Sequence, residues 1–324
     1  MAAAEEAARR LAAGELVAFP TETVYGLGAD ATNETAVAKI FAAKGRPASH
    51  PLIVHFADPA AMPRWAREVP TQASELAAHF WPGPLTIILA KSDEVPNAVT
   101  GGQDSVGLRC PSHPVARELL AEFARIGSGA VAAPSANRFG HVSPTSAQHV
   151  RDEFADSFLV LDGGSCEVGL ESTIVDLSRG APVLLRPGAI TRRDLEAVLK
   201  VTVAERDADA PRASGTLDAH YAPHTALALV DRAELIAAST RSRDVAVLAM
   251  ASRPDSVDVK AWIAAPSDPM RYAHDLYANL RALDRVDALR ILIESPPRLA
   301  AWEAVNDRLD RAAAGGGGTD GEQT

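Results

Sequence analysis

The segment Phe19-Pro-Thr-Glu-Thr-Val-Tyr-Gly-Leu-Gly28 sets the character of this chain. It begins at the end of a short apolar run, residues 16–19, which predicts a buried strand that Pro20 ends. Two threonines, a glutamate and two glycines then stand between apolar residues. Polar groups of this kind are costly to bury in an ordinary core, because each needs a hydrogen-bond partner. The segment therefore predicts a polar ligand pocket beside a strand.

A cationic pair follows this segment. Lys44-Gly-Arg-Pro47 comes directly after a predicted helix over residues 34–43, and Pro51-Leu-Ile-Val-His55 runs into the next predicted strand. Lys and Arg at this spacing can clamp phosphate oxygens, with Lys as a point charge and Arg as a fork. The alternative is a solvated pair at a helix C-terminus, which the helix dipole favours. The motifs on both sides favour the ligand interpretation.

Strands and helices alternate through the first two thirds of the chain. Apolar runs at residues 52–56, 85–90, 106–109 and 130–133 predict strands, and helices are predicted over 71–80 and 114–126. Three more strands, at 158–161, 173–177 and 183–186, follow one another closely enough that part of the sheet should be antiparallel. The pattern predicts an α/β domain.

Two basic residues stand where apolar strands are predicted. Arg109 ends the strand at 106–109, and a buried Arg needs a carboxylate or phosphate partner. This partner is either a ligand or a structural acid from elsewhere in the fold. His55 taken alone is more typical of a satisfied core histidine, but its place in the Pro51–His55 motif favours a ligand contact.

Polar side chains also follow the predicted strand at 130–133. Ser135 and Asn137 come just after Pro134, and Ser143-Pro-Thr145 repeats the pattern. Loops at the carboxyl ends of strands are where open α/β sheets bind ligands. Turns and helix caps are the alternative, since Ser and Asn favour both.

Taken together, these motifs resemble the threonylcarbamoyl-adenylate synthases of the YrdC-like type, in their two-domain form. The resemblance covers about residues 14–186, and a shorter signature recurs at His220-Tyr-Ala-Pro223. It implies a YrdC-like twisted mixed sheet with helices, followed by a smaller Rossmann-like α/β domain. It also implies synthesis of threonylcarbamoyl-AMP and pyrophosphate from L-threonine, bicarbonate and ATP, with Mg²⁺ accompanying the ATP. The adenylate would pass to a separate tRNA threonylcarbamoyl transferase.

The resemblance also implies the site residues, and it implies no metal ligands from the protein. The ATP site would comprise Lys44, Arg46, His50, Ser105, Ser135, Asn137, Ser143, Arg186, His220 and Tyr221. The threonine site would comprise Thr23, His55, Arg109, Ala133 and Ser172. Within the first set, Lys44 and Arg46 would be catalytic, because they would neutralise charge on the phosphates.

The domain organisation follows from the same pattern. We expect a catalytic domain over residues 1–204, a linker that closes over the active site at 205–224, a small α/β domain at 225–312 and a flexible Gly-rich tail at 313–324. In the lead-in to the second domain, Ala213-Ser-Gly215 replaces the Pro-Gly pair commoner in relatives. The path of the linker is therefore open, and the alternative for Tyr221 is a residue that only packs at a domain-start turn.

Composition narrows the function classes. A net charge of −10 over 324 residues argues against a dedicated RNA-binding surface, which is usually basic, and leaves direct tRNA contact open. Cys110 and Cys166 form no Cys-x-x-Cys pair, so a structural zinc site is not expected, and two thiols suit a reducing compartment. No signal-peptide core and no membrane-length apolar run is present. These features predict a cytoplasmic protein without membrane contact.

Competing motifs are weak. Gly26-x-Gly28-x-x-Ala31 mimics a dinucleotide fingerprint, but no clean strand leads into it and no acid stands about twenty residues on. No P-loop is present, and Pro223 breaks any helix that would align His220 with His224 for a metal. Two alternative functions remain. One is a double-stranded RNA-binding module, which the acidic charge disfavours; the other is a related carbamoyl-adenylate-forming enzyme, whose acylphosphatase-like and zinc-finger segments this chain lacks.

Overall fold

The computed structural model of this chain describes residues 2–315. These residues form two compact units. The first runs up to Phe139 and resumes with Pro144–Thr216, while the second combines Gly140–Ser143 with the chain from Leu217 onwards.

The first unit is a mixed α/β structure built on one large sheet, as predicted. Its strands are β1 Val17–Phe19, β2 Gly26–Asp30, β3 Ile53–Phe56, β4 Leu85–Ala90, β5 Ser105–Arg109, β6 Ala130–Ala132, β7 Leu159–Val160, β8 Thr173–Asp176, β9 Val183–Arg186 and β10 Ala204–Glu205. Its helices are α1 Ala2–Ala12, α2 Glu34–Lys44, α3 Met62–Trp65, α4 Thr71–Phe80, α5 Asn97–Thr100, α6 Pro114–Ile126, α7 Ala147–Phe154 and α8 Arg192–Leu199.

The ten strands are ordered β10-β9-β8-β4-β5-β3-β6-β2-β1-β7. Parallel pairs such as β3 with β5 and β4 with β8 alternate with antiparallel pairs such as β4 with β5. The late pair β8 and β9 is antiparallel, as their close spacing in sequence predicted. The sheet is therefore mixed, in agreement with the predicted fold class.

Strand β2 was not predicted, because the polar segment was interpreted as loop and pocket throughout. Its two glycines conceal a strand that pairs antiparallel with both β1 and β6. At Gly28 an added Cβ would lie 2.6 Å from Val131 Cγ1 and 2.8 Å from Phe19 Cε1. Close packing thus requires glycine at this position. The low β-propensity of glycine, however, argues against a strand when the sequence is considered alone. A strand at this position also removes the dinucleotide-loop interpretation of Gly26-x-Gly28.

The middle of the sheet separates two chemical environments. Side chains along a strand alternate between faces, so every second residue of β3, β4 and β5 shares a face. One alternating set packs into the main apolar core with helices α2, α4 and α8; from these strands it contributes Val54, Phe56, Leu85, Ile87, Leu89, Val106 and Leu108. The other set lies on the opposite face and remains buried; it combines the polar residues His55, Thr86, Ser105 and Arg109 with Ile53 and Ile88, which belong to a second apolar cluster.

The second unit contains a four-stranded parallel sheet. Its strands are β11 Leu227–Val230, β12 Val245–Ala249, β13 Ala261–Ala264 and β14 Arg290–Glu294, in the order β11-β14-β12-β13. Its helices are α9 Arg232–Arg241, α10 Pro269–Asp284 and α11 Glu303–Gly315. An apolar cluster that includes Leu235, Val247 and Leu292 packs the sheet against α9. The arrangement agrees with the predicted small α/β domain.

The C-terminal end differs from the sequence prediction in one respect. Helix α11 continues through Gly315, so residues 313–315 are helical rather than part of a tail. The rest of the predicted flexible tail, residues 316–324, lies outside the described residues. Between residues 2 and 315, no helix combines the length and apolarity needed to cross a membrane.

We predict that Gly28→Ala destabilises the first unit by about 1–3 kcal/mol, because the new methyl overpacks a buried contact. The measurement is the free energy of unfolding from a denaturant titration. Gly26→Ala on the same strand is the matched control, since its Cβ would meet its nearest neighbour, Ala133 Cβ, at an ordinary 3.4 Å. Equal losses in the two variants would contradict the packing explanation.

A second prediction concerns acid sensitivity. Burial, reinforced by the Arg109 charge, lowers the pKa of His55 to about 3 from its usual value near 6.5. The unfolded chain therefore binds a proton that the folded chain does not, and stability falls as the pH drops from 6.5 towards 3. Between pH 7.5 and 5.0 the wild type should lose about 2 kcal/mol more than His55→Gln. His79→Gln, at an exposed helix position, serves as the control and should follow the wild type.

Candidate active site

The cationic pair is placed by the two ends of helix α2. Asn33 caps the N-terminus by accepting the Ala36 N–H at 3.0 Å, which fixes where the helix begins. Gly45 ends it in the left-handed conformation, with φ of 63°. Lys44 is thus the last helical residue and Arg46 the first after the turn. Both side chains are buried, which excludes the solvated-pair interpretation.

The Lys44 ammonium donates to two backbone carbonyls. It bonds to Ser135 O at 2.6 Å and to Asn137 O. Burial lowers the pKa of Lys44 well below its usual value, and the nearby Arg46 charge lowers it further. Lys44 therefore connects the end of α2 to the loop after β6, which contains the predicted ATP residues Ser135 and Asn137. An ammonium carries three N–H groups, so one remains for a ligand oxygen.

Arg46 lies at the centre of a second set of contacts. Its Nη2 donates to Pro51 O at 3.1 Å and lies 3.4 Å from Ser214 Oγ. Its guanidinium lies 5.8 Å from the centre of the Phe139 ring, whose edge-to-face partner is the ring of His50. Burial lowers the pKa of His50, and the Arg46 charge adds to this effect. The predicted residues Arg46 and His50 are thus brought together.

Arg186 connects the predicted ATP and threonine residues. Its Nε and Nη2 donate to Ser172 O at 3.0 and 2.9 Å, and Nη2 also lies 3.1 Å from Ser172 Oγ. The Ser172 hydroxyl is 2.7 Å from Thr86 Oγ1. Arg186 Nη1 donates to Ser214 O at 2.8 Å. Ser214 therefore meets both predicted nucleotide-binding arginines.

The linker residues around Ser214 cover a cleft on the polar face of the sheet. The cleft is lined by Ile53, Ile88, Ser105 and Gly107 of the sheet and by Arg212–Ser214 of the linker, and Ala213 packs against the apolar cluster that contains both isoleucines. Arg212 is fixed there by Gln103, whose Oε1 accepts the Arg212 N–H at 2.7 Å. The chain up to Thr216 belongs to the first unit. Within it, Arg212–Ser214 line the same cleft as the predicted ATP residue Ser105.

The predicted amino-acid residues gather at the neighbouring strand ends. His55 and Arg109 are register partners on the parallel strands β3 and β5, so their side chains share a face. His55 Nδ1 lies 3.1 Å from Ile53 O. Ala133 follows β6, and its N–H donates to the same carbonyl at 2.9 Å. Thr23 is fully buried, with its hydroxyl 2.8 Å from that of Thr21.

Arg109 has an acidic partner that the sequence prediction did not assign. Its Nη2 lies 2.6 Å from Glu22 Oε1, and both side chains are almost completely buried. The structural salt bridge considered as an alternative for Arg109 is therefore present. A guanidinium has five N–H donors, so this ion pair does not exhaust its capacity for a ligand carboxylate.

Three predicted ATP residues belong to the second unit: Ser143, His220 and Tyr221. Tyr221 is 1% exposed, its ring stacks on Tyr277 with centroids 5.7 Å apart, and the Arg308 guanidinium lies 5.3 Å from the ring centre. Its φ of 63° is unusual for a residue other than glycine. These contacts are those of a packed core residue, and its nucleotide contact stays a prediction.

Two residues near the site were missed by sequence reasoning. Glu22 stands inside the opening segment, where an acid among apolar residues was itself a signal of a buried cation nearby. Ser214 stands in a polar linker, and no local pattern distinguishes it from its neighbours. Its role depends on contacts to Arg46 and Arg186, which are distant in sequence.

The arrangement can bind an anion of several charges beside a small zwitterion. At one end, the cationic hydrogen-bond donors are Lys44, Arg46 and Arg186. At the other end, Arg109 can donate to a carboxylate, and His55 and Ser172 can bind a hydroxyl group. Within residues 2–315, no group of three or more His, Cys, Asp or Glu side chains could hold a metal ion.

Comparison with known proteins agrees with this geometry. Residues 9–188 match the Sua5–YciO–YrdC family profile described as Telomere recombination, and residues 190–314 match the profile described as Threonylcarbamoyl-AMP synthase, C-terminal domain. A threonylcarbamoyl-AMP synthase of Pyrococcus abyssi is 38% identical over 93% of this chain and 91% of its own length. One from Bacillus subtilis is 38% identical over 96% of this chain and 92% of its own length.

A solved structure resembles both units. The crystal structure of P. abyssi Sua5 complexed with L-threonine superposes with a TM-score of 0.89 at 37% identity, covering 96% of this chain and 94% of that one. Similarity at this level over nearly the whole of both chains is more than a shared fold. The chain belongs to the threonylcarbamoyl-AMP synthase family, in its two-domain Sua5 form.

Proposed function

We propose that this chain is an L-threonylcarbamoyladenylate synthase, a nucleotidyltransferase that forms threonylcarbamoyl-AMP and pyrophosphate from L-threonine, bicarbonate and ATP. The observation that carries the proposal is one polar sheet face shared by two chemistries. His55 and Arg109 are register partners on it, and Ser172 connects it to Arg186, which meets Ser214 beside Arg46. These contacts support an amino-acid site and an adjacent phosphate site in a member of this family.

The chemistry needs positioning more than a protein nucleophile. The neutral threonine amine adds to carbon dioxide derived from bicarbonate and loses a proton, which gives a carbamate. A carbamate oxygen then attacks the α-phosphorus of ATP. The bond between the α-phosphorus and the oxygen that bridges it to the β-phosphorus breaks, and pyrophosphate leaves with that electron pair. Holding the two reactants in line and neutralising phosphate charge supply the catalysis. Lys44, Arg46 and Arg186 serve the phosphates, while Arg109 binds the threonine carboxylate.

The remaining assignments extend this picture. In the first unit, His50, Ser105, Ser135 and Asn137 line the nucleotide side, while Thr23, Ala133 and Ser172 complete the threonine side. For Ser143, His220 and Tyr221 of the second unit, the nucleotide contact rests on the family motifs. The support for these roles is the match of each residue to the family motifs, joined in the first unit by the contacts described above.

Magnesium would accompany the ATP. Mg²⁺ keeps several waters and binds phosphate oxygens with few protein ligands. The chemistry it supplies when bound is charge neutralisation on the triphosphate.

The linker over residues 205–224 would act as a lid. Its support is the position of Arg212–Ser214 over the cleft that Ser105 lines. Lids exclude water, and the mixed anhydride made here is prone to hydrolysis. The product would then pass to a tRNA threonylcarbamoyl transferase in the cytoplasm. With a net charge of −10, the chain is better suited to such a transfer than to holding tRNA itself.

The rival functions have less support. A double-stranded RNA-binding module would not need two adjacent ligand sites on one face, and its surface would be basic. A carbamoyl-adenylate-forming enzyme would need a site for carbamoyl phosphate in place of an amino-acid site. The two-domain match to threonylcarbamoyl-AMP synthases over nearly the whole chain favours threonine.

We predict that pyrophosphate release from ATP and bicarbonate depends on L-threonine. Valine, which replaces the hydroxyl by a methyl group, should be turned over on the order of 10⁴-fold less well, because hydroxyl-binding groups left without a partner disfavour it. The measurement is coupled pyrophosphate detection with each amino acid supplied in turn. Equal turnover of valine and threonine would overturn the threonine assignment.

The two ends of the site should respond to different substitutions. Arg109→Ala should weaken threonine binding by roughly 10- to 150-fold, the value of one hydrogen bond to a charged group, and leave ATP binding nearly unchanged. Lys44→Ala and Arg46→Ala should do the reverse. Calorimetry with each ligand separately measures both effects. Arg109→Lys keeps a cation beside Glu22 and controls for lost folding. An Arg109→Ala variant that loses only ATP affinity would contradict the assignment.

A further inference from the structure

Glu22 is fixed more firmly than an incidental acid. Its Oε1 accepts from Arg109 Nη2 at 2.6 Å, and its Oε2 accepts the backbone N–H of Ser112 at 3.1 Å. Its side chain is 3% exposed. Both carboxylate oxygens are therefore used, and one of them is anchored to the backbone just after β5. The carboxylate cannot turn without losing a buried hydrogen bond.

The guanidinium of Arg109 has acceptors at two of its three nitrogens, one close and one at the long limit of a hydrogen bond. Nη2 donates to Glu22, and Nε lies 3.4 Å from Gly83 O. Among the residues that the structure describes, Nη1 has no hydrogen-bond partner. Because the guanidinium is planar, fixing two corners also fixes the third. Its remaining N–H groups therefore point in a direction set by Glu22 and Gly83.

The charge of Glu22 has a second consequence. A buried arginine without an acid is strongly destabilising, so a site that binds a carboxylate needs some other partner for its arginine when the ligand is absent. Glu22 supplies this partner. Glu22 does not block the ligand carboxylate, because its second oxygen accepts from Ser112 and so leaves the remaining N–H groups of Arg109 available. The acid thus keeps the arginine paired and oriented before the ligand arrives.

We propose that Glu22 is a positioning residue for Arg109. Its carboxylate orients the guanidinium so that the donors not used by Glu22 or Gly83 meet the carboxylate of the amino-acid substrate. This inference rests on the proposed function for the placement of that substrate. Glu22 acts through Arg109 and makes no contact of its own with the reacting atoms.

The test compares Glu22→Gln with the wild type in steady-state kinetics and in threonine calorimetry. Gln keeps the size and one acceptor but removes the charge. The Kd and KM for threonine should rise at least about tenfold, as expected when a charge-assisted contact loses its geometry. The KM for ATP should stay within about twofold, and kcat at saturating threonine should change little, because positioning affects binding of one substrate only.

Asp176→Asn is the matched control. Asp176 is also a fully buried acid of the first unit, and its carboxylate is paired with Arg179 at 3.1 Å. A general effect of neutralising a buried acid would appear in both variants. We expect the threonine affinity of Asp176→Asn to equal that of the wild type.

A double-mutant cycle separates positioning from direct binding. In an Arg109→Ala background, Glu22→Gln should add less than about a twofold further loss of threonine affinity, because there is no guanidinium left to orient. Independent, multiplicative losses would overturn the proposal. An unchanged threonine affinity in Glu22→Gln, or an equal loss for ATP and threonine, would also overturn it.

Folding and function are kept apart in the same experiment. If Glu22→Gln does not fold, Glu22→Asp replaces it, because the shorter acid keeps the charge but cannot reach both Arg109 and Ser112. The proposal then requires that the KM for threonine rises in Glu22→Asp while the KM for ATP does not. If wild-type pyrophosphate release proves independent of threonine, the proposed function fails, and the amino acid that is used takes its place in the comparison. A threonine-dependent wild type with unaffected Glu22→Gln rejects the role of Glu22 alone.

Discussion

The site depends on the alternation of side chains along the three central strands. In β3, β4 and β5 one set of residues fills the apolar core against α2, α4 and α8. The other set carries His55, Thr86, Ser105 and Arg109 on the opposite face. A one-residue slip of any of these strands would turn its polar side chains into the core and its apolar ones into the cleft. The core therefore enforces the register that builds the site, and stability and function are set by the same pairing.

The site uses two different solutions for buried cations. Lys44 is held by the carbonyls of Ser135 and Asn137, which accept two of its three N–H groups but carry no full negative charge. Arg109 is held by a full charge, that of Glu22. A cation with only carbonyl partners gains most from an incoming anion, and a triphosphate is such an anion. In the proposed function, phosphate would bind through this local excess of positive charge, although the chain as a whole carries −10.

Most of the fold could be predicted because its signals are local. The helices over 71–80 and 114–126 and the strands over 85–90 and 183–186 were placed with the bounds that the structure shows, since Pro and Gly residues delimit several of them and apolar periodicity fills them. Strand β2 was missed because Gly28 is selected by close packing against Phe19 and Val131. The partner of Arg109 was missed for a related reason: Glu22 lies 87 residues away in sequence, and only the pairing of strands brings it near.

The contact of Ser214 with both arginines places a constraint on any nucleotide that binds as we propose. Arg46 directs one nitrogen, Nη2, both to Pro51 O at 3.1 Å and to Ser214 Oγ at 3.4 Å, and the second distance is long for a hydrogen bond. A phosphate oxygen forms a shorter, charge-assisted bond and would displace the hydroxyl. Arg186, in contrast, donates Nη1 to the Ser214 carbonyl at 2.8 Å while its other nitrogens hold Ser172. In the proposed function, the linker would release Arg46 to the phosphates while Arg186 still donates to the Ser214 carbonyl, so the linker would not have to leave the first unit for the nucleotide to bind.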